Sequence, residues 1–133
     1  MPDASAHRLL DAQLESWDRN NTVMLNLLGA LPAGGLEARA VPPTEWAVEG
    51  DPDRIARMLT ESAATVREAV SGRVLAGRDL ERNFGHPILL LQLLLWHEGY
   101  HHGQIKLALK LAGCPIGDEE AGPLTWDVWR RRM

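Results

Sequence analysis

The chain has 133 residues, of which 45% are hydrophobic and 24% are charged, and its formal net charge is −4. This length suits one domain, and this composition is typical of a folded globular protein and excludes a disordered one. The acidic balance also excludes the basic surface on which nucleic-acid binding depends, because the one dense basic stretch is residues 130–132. We therefore expect a single domain over residues 1–133 and no nucleic-acid partner.

Cysteine usage and hydropathy indicate a cytoplasmic protein. The only cysteine is Cys114, which cannot form a disulfide within the chain, and the N-terminal residues include no apolar segment of the signal-peptide kind. The longest apolar run, from Ile88 to Trp96, is interrupted by Gln92 and is much shorter than the ~20 residues that cross a bilayer. We expect no membrane partner.

Apolar residues in the first part of the chain recur at spacings of three, four and seven, which is the pattern of one helical face. These residues are Leu10, Leu14, Trp17, Met24, Leu28 and Leu31. Asp3 or Ser5 can cap the start and Pro32 marks the end, so the pattern predicts a helix over residues 4–31. The prolines and glycines that follow have no period of their own and predict a connection up to residue 50.

Two further long helices begin at proline. Asp51 can accept hydrogen bonds from free backbone N–H groups while Pro52 occupies the first turn, and Gly77 is a plausible stop. Pro87 likewise starts a third helix, which we expect to run to about residue 112, with Gly113 at its C-terminal cap.

No segment alternates apolar and polar residues like a strand, so the sequence predicts an all-α bundle of three long helices and a short C-terminal one. The short helix follows a loop and carries Trp126 and Trp129. The third helix is apolar on every side over its first half and needs cover all round. Because two other helices can hardly supply that cover, we expect the C-terminal tryptophans or a second subunit to complete it, and we favour an oligomer.

The stretch "WHEGYHHGQ" places two histidines one turn apart in this third helix. His97 and His101 lie about 40° apart and about 6 Å along the axis, so both rings can reach one point. They continue the stripe of Leu90, Leu93 and Leu94, so we expect them to point inward. Inward imidazoles need partners, and Zn²⁺ or Ni²⁺ at ~2.0–2.1 Å from each ring would satisfy them. A hydrogen-bonded pair without metal is the alternative.

The neighbouring residues predict packing rather than chemistry. Glu98 and His102 are four residues apart on another face, so the simplest interpretation is a pair along the helix surface. Gly99 and Gly103 form a flat strip nearly opposite His97, and each costs ~1 kcal/mol relative to alanine inside a helix. Close approach of another helix to this strip would explain why glycines occur there despite that cost.

Residues 97–101 also match H-E-x-x-H, in which two histidines bind zinc and the glutamate is the general base of a metalloprotease. The surroundings oppose this interpretation. No strand-rich lobe is predicted to form a substrate cleft, and no further histidine follows His102.

The wider string "LLQLLLWHEGYHHGQIKLALKLAGCPI" resembles the last bundle helix of the DinB/YfiT-like superfamily, and "DPDRIARML" and "GPLTWDVW" are similar to other parts of its pattern. The resemblance implies a four-helix bundle, usually dimeric. It also implies a divalent metal held by three histidines, one from the second bundle helix and two from this motif. On that basis His97 and His101 are metal ligands, and Gln104 is their neighbour.

One departure from the family pattern concerns the third ligand. The stretch where the family has its second helix, residues 40–50, is short, contains proline and lacks histidine. Dimerisation or exchange of helices between two chains would replace the missing cover. The third ligand stays open among His86, His102, His7, Glu45 and a histidine of a partner subunit.

Two functions follow from these features. The first is a metal-dependent enzyme, for which the resemblance implies thiol-dependent S-transfer, isomerisation or hydrolysis. The metal at His97 and His101 would act as a Lewis acid or would lower the pKa of a bound water or thiol. The second is a non-catalytic oligomeric helical assembly with a degenerate metal site.

Overall fold

The structure, a computed structural model, describes residues 3–38, 49–80 and 83–130. Three long helices dominate it: α1 (Ala4–Gly29), α2 (Pro52–Leu75) and α3 (Pro87–Leu111). Two short helices follow, α4 (Asp118–Leu124) and α5 (Trp126–Arg130), and a single 3-10 turn, Gly35–Glu37, lies after α1. The described ranges contain no strand, so the prediction of an all-α class is confirmed.

The aspartates that precede the first two helices cap them. The Asp3 carboxylate accepts from the backbone N–H of Ala6 at 2.8 Å, so Asp3 and not Ser5 caps α1. Asp51 accepts from the N–H of Asp53 at 3.0 Å. Both side chains satisfy a backbone donor that has no partner within the helix, which is why the starts were predictable from sequence.

Glycines end α2 and α3. Gly77 and Gly113 have φ values of +62° and +79°, a left-handed conformation that glycine adopts without steric cost. The chain after Gly113 turns back, and the N–H of Cys114 donates to the carbonyl of Leu109 at 3.0 Å. This is the reversal expected of a C-terminal glycine. Among the described residues, no helix combines the length and apolar character that a membrane span requires.

The prediction of a loop directly after Gly113 missed α4. Three acidic residues in its first turn, residues 118–120, favour the helix start electrostatically. Ala121 is buried against Leu27, Leu109 and Ile116, so tertiary packing stabilises the helix. The helix has only seven residues, and two of them are Gly122 and Pro123. The sequence therefore contains no apolar periodicity from which this helix could be predicted.

Helix α1 is the centre of the fold and contacts all four other α-helices. One apolar cluster joins α1 to α2 and α3: Leu10, Leu14, Trp17, Ala63, Val70 and Leu91. Within it, the indole N–H of Trp17 donates to the carbonyl of Ala63 at 2.9 Å. A second cluster, formed by Leu27, Leu109, Ile116 and Ala121, holds α4 against α1 and α3.

One side of α3 is left uncovered by the described parts of the chain. It carries six large exposed residues, which we call the α3 seam: Leu89, Leu93, Trp96, Tyr100, Leu107 and Leu111. From 89 to 107 these positions, with Gly103 among them, alternate at spacings of four and three, the pattern of a helix that packs lengthwise on another. The C-terminal tryptophans do not cover the seam, because they line a cleft elsewhere on α3 with Gly99 and His102.

Candidate functional site

The structure brings His97 and His101 together one turn apart on α3. Their Nε2 atoms are 2.9 Å apart, and their ring centroids are separated by 4.4 Å with the planes nearly perpendicular. The two nitrogens therefore face a common point, as the four-residue spacing predicted.

Gln104 determines the orientation of the second ring. Its Oε1 lies 2.7 Å from Nδ1 of His101. An amide oxygen only accepts, so Nδ1 of His101 carries the proton and its Nε2 presents a lone pair to His97. His97 then donates from Nε2, and the three side chains form one directed hydrogen-bond chain.

The prediction that these histidines point inward is wrong, since both rings are exposed. The buried side of α3 is centred on Leu91 and Leu109, which are 0% and 1% exposed, whereas Leu90 and Leu94 are only partly buried. The side of α3 that is buried therefore lies one residue, or roughly 100° around the helix axis, from the side that the sequence predicted to be buried. Six of the eight residues from 88 to 95 are leucines, so their pattern contains little information about which side is buried.

The rotation turns Glu98 toward α1. Its carboxylate accepts a hydrogen bond from the side-chain amide of Asn20, which is buried. The expected Glu98–His102 pair is not formed, so that prediction is wrong. Burial raises the pKa of Glu98, and the hydrogen bond from Asn20 partly opposes that shift. Asn20 was missed from sequence, although its place within the apolar stripe of α1, three residues after Trp17, was a detectable signal.

His102 is half-buried on the same side of α3. Burial lowers its pKa, and the positive charge of Lys106, one turn further along, lowers the pKa as well. Its ring has no hydrogen-bond partner among the described side chains. His102 is turned away from the pair formed by His97 and His101 because consecutive helical residues differ by about 100°.

The remaining candidates for a third ligand are placed elsewhere. His86 caps α3, where its Nδ1 accepts from the N–H of Ile88 at 3.1 Å, and it lies about 16 Å along the axis from His97. The Nδ1 of His7 is 3.1 Å from the carbonyl of Asp3 in the first turn of α1. Glu45 lies outside the described residues. The described part of the chain contains no group of three or more His, Cys, Asp or Glu side chains that could hold a metal.

An apolar cavity of about 300 Å³ opens on the histidine side of α3, between α1, α2 and the C-terminal half of α3. On α3 it is lined by Ile105, Ala108 and Leu109, and the first of these is one turn beyond His101. The cavity could therefore receive the apolar part of a small molecule that reaches the histidine pair.

Comparison of the chain with known protein families, with curated proteins and with solved structures found no match.

We expect Glu98→Gln to stabilise the metal-free protein near pH 7. A raised folded-state pKa means that the folded protein prefers the protonated carboxyl, so ionisation costs folding free energy as pH rises through that pKa. Glutamine keeps an acceptor oxygen for Asn20 and removes the charge. The increase in the free energy of unfolding should be below about 1 kcal/mol because solvent screens the charge. It should disappear when the pH falls below 4.5, the ordinary pKa of a glutamate side chain.

Urea unfolding with EDTA at pH 7 and pH 4 measures this difference. Glu68→Gln, which changes an exposed carboxylate on α2, is the control and should have no effect at either pH. A Glu98→Gln protein that is less stable than the natural chain at pH 7 would contradict the expectation.

Proposed function

We propose that this chain is a divalent-metal-binding helical-bundle protein in which His97 and His101 hold the cation. The observation that supports the proposal is the 2.9 Å separation of their Nε2 atoms. With metal–nitrogen distances of ~2.0–2.1 Å, that separation corresponds to an angle of about 90° at the metal, and opening it to roughly 3.4 Å reaches tetrahedral geometry. Both rings are exposed and can make that adjustment. Zn²⁺ and Ni²⁺ are the cations that imidazole ligands suit best.

Gln104 supports the proposal as an orienting group. A histidine that binds metal through one nitrogen is commonly held by a hydrogen bond at the other, which fixes the tautomer and the ring plane. The contact between Gln104 and His101 already has this arrangement. His97 has to move its proton from Nε2 to Nδ1 before its Nε2 can act as a ligand, because a metal needs a free lone pair on the nitrogen it binds.

Two histidines leave most of the coordination shell open, and we propose that a second copy of the chain completes the site. The α3 seam runs directly beside the pair, since Trp96 precedes His97 and the Tyr100 ring lies 5.6 Å from that of His101. A helix packed along this seam would reach the histidines. The proposed assembly is therefore a homodimer.

We further propose that the complete site acts on a small molecule or small thiol, as a metal-dependent hydrolase or S-transferase. A bound divalent cation would supply a Lewis acid there and lower the pKa of a thiol or of water. The chain's own contribution would be to position the cation through His97, His101 and Gln104. The apolar cavity that begins at Ile105 would exclude water from the apolar part of the substrate.

The alternative is a non-catalytic oligomeric assembly with a degenerate metal site. The observation that favours it is the hydrogen bonding of the pair, because His97, His101 and Gln104 satisfy one another without a cation. In that case the exposed rings would contribute to an interface between subunits.

Titration of the untagged, EDTA-stripped chain with Zn²⁺ and Ni²⁺ by calorimetry tests the metal site. We expect binding near one cation per chain or per dimer, with affinity reduced on the order of 100-fold or more in His101→Ala. Gln104→Ala should lower the affinity for the metal about 10-fold, as expected for an orienting group.

His86→Asn is the matched control, because asparagine removes the imidazole that precedes α3 but still caps the helix. It should bind metal like the natural chain. The proposal fails if the natural chain binds neither cation, or if His101→Ala binds as tightly as the natural chain; either result would favour the non-catalytic assembly.

A further inference from the structure

A cleft of about 320 Å³ lies between α1, α3 and the C-terminal helices. Its principal lining residues are Asn20, Gly99, His102, Lys106, Trp126 and Trp129. At 100° per residue, Gly99 and Lys106 lie on nearly the opposite side of α3 from His97. This cleft is therefore separate from the histidine pair, and its residue types indicate a different chemistry.

The polar side of the cleft is positively charged. Lys106 is half-buried, and within residues 3–38, 49–80 and 83–130 it forms no ion pair; the three that occur there are made by Arg19, Arg54 and Arg67. His102 lies one turn before Lys106, and its ring likewise has no described hydrogen-bond partner. Two nitrogen-bearing side chains thus face a cleft that provides no anion for them.

The opposite side of the cleft is aromatic and is attached to α1 at two points. The Trp129 carbonyl accepts a hydrogen bond from Arg19. The side-chain amide of Asn26 donates to the carbonyl of Leu124 at 2.8 Å. These bonds hold the backbone of α4 and α5 in place, and Trp126 and Trp129 line the cleft from this side. Indole faces favour flat, apolar ligands.

Gly99 lines the cleft between the two walls. A Cβ added at Gly99 would meet no described atom within 4 Å, so the surface of α3 is open there. Glycine inside a helix costs ~1 kcal/mol relative to alanine, and no closely packed helix among the described residues accounts for that cost. An open channel beside Lys106 does account for it.

We propose that this cleft binds a small aromatic carboxylate, with the ring against Trp126 and Trp129 and the carboxylate at Lys106 and His102. The ammonium group and the imidazole donate to the carboxylate oxygens, and such charge-assisted hydrogen bonds are stronger than neutral ones. The volume is at the lower end of the range for small-molecule sites, which limits the ligand to about one or two rings.

The probe is 2-naphthoate, and its neutral counterpart is 2-naphthylmethanol, which has the same ring system without the charge. We expect 2-naphthoate to quench tryptophan fluorescence saturably and to bind at least ~10-fold more tightly than the alcohol. Lys106→Met should weaken the binding of 2-naphthoate by ~10-fold or more and leave the binding of the alcohol nearly unchanged. Lys110→Met, an exposed lysine on the same helix, should affect neither.

Gly99→Leu tests the location, because leucine favours the helix, its Cβ would meet no described atom within 4 Å, and the rest of its side chain would occupy space in the cleft. This variant should fold and should bind neither 2-naphthoate nor 2-naphthylmethanol. His101→Ala should bind 2-naphthoate like the natural chain, so the outcome does not depend on the metal proposal. The inference is overturned if 2-naphthoate does not bind, if it binds no better than the alcohol, or if Lys106→Met or Gly99→Leu binds it unchanged.

Discussion

Trp96→Asp is expected to disrupt the proposed dimer and leave a monomer. Trp96 lies within the α3 seam and is 65% exposed in the single chain. In a symmetric dimer packed along this seam, each substitution would place a carboxylate in an apolar interface, and it would do so in both subunits. Buried tryptophans are frequent hot spots, with ~2 kcal/mol or more lost on truncation, so the dimer Kd should rise on the order of 100-fold or more.

Sedimentation equilibrium over a range of concentrations measures this change. Met58→Asp is the matched control, since it introduces the same charge at a large, exposed apolar side chain of α2, away from the α3 seam. Its dimer Kd should equal that of the natural chain. A natural chain that remains monomeric at ~100 μM, or a Met58→Asp protein that dissociates as readily as Trp96→Asp, would refute a dimer formed along the seam.

Leu91→Ala is expected to lower the free energy of unfolding by about 2–5 kcal/mol, the usual loss when a buried leucine is truncated. Leu91 is 0% exposed and belongs to the cluster that joins α1, α2 and α3. Its removal would leave a cavity where the three long helices meet. The surrounding side chains belong to three different helices and cannot all move inward to fill it.

Leu89→Ala provides the matched comparison, because Leu89 is on the same helix, two residues earlier, and is 59% exposed. At a protein concentration low enough to keep the chain monomeric, its loss should stay below about 1 kcal/mol. Urea unfolding of both variants at that concentration measures the difference. Equal losses would contradict the burial of Leu91, and not of Leu89, among the three long helices.

The two sides of α3 are proposed to serve different purposes. The side with His97 and His101 borders the α3 seam and the apolar cavity, so metal binding and dimerisation should be coupled there. The side with Gly99 and Lys106 faces α1 and α5 and does not involve the seam. The naphthoate experiment can therefore succeed or fail independently of the dimer and metal experiments.

The sequence by itself determined the three long helices and the geometry of the histidine pair. Helix ends depend on short-range contacts, such as the carboxylate of Asp51 on a nearby N–H group and the left-handed conformation of Gly113, so local residues were enough to locate them. The approach of His97 to His101 is equally local, because a four-residue spacing places both rings on one helix face.

Only the tertiary structure decided which side of α3 is buried. The leucine-rich run offers similar apolar residues in nearly every direction, so the choice depends on what α1 presents to it. Trp17 lies in the cluster with Leu91, and Asn20 forms a hydrogen bond with Glu98. These contacts come from residues more than seventy positions away in sequence, and they turn the two histidines outward and open the cleft beside Gly99.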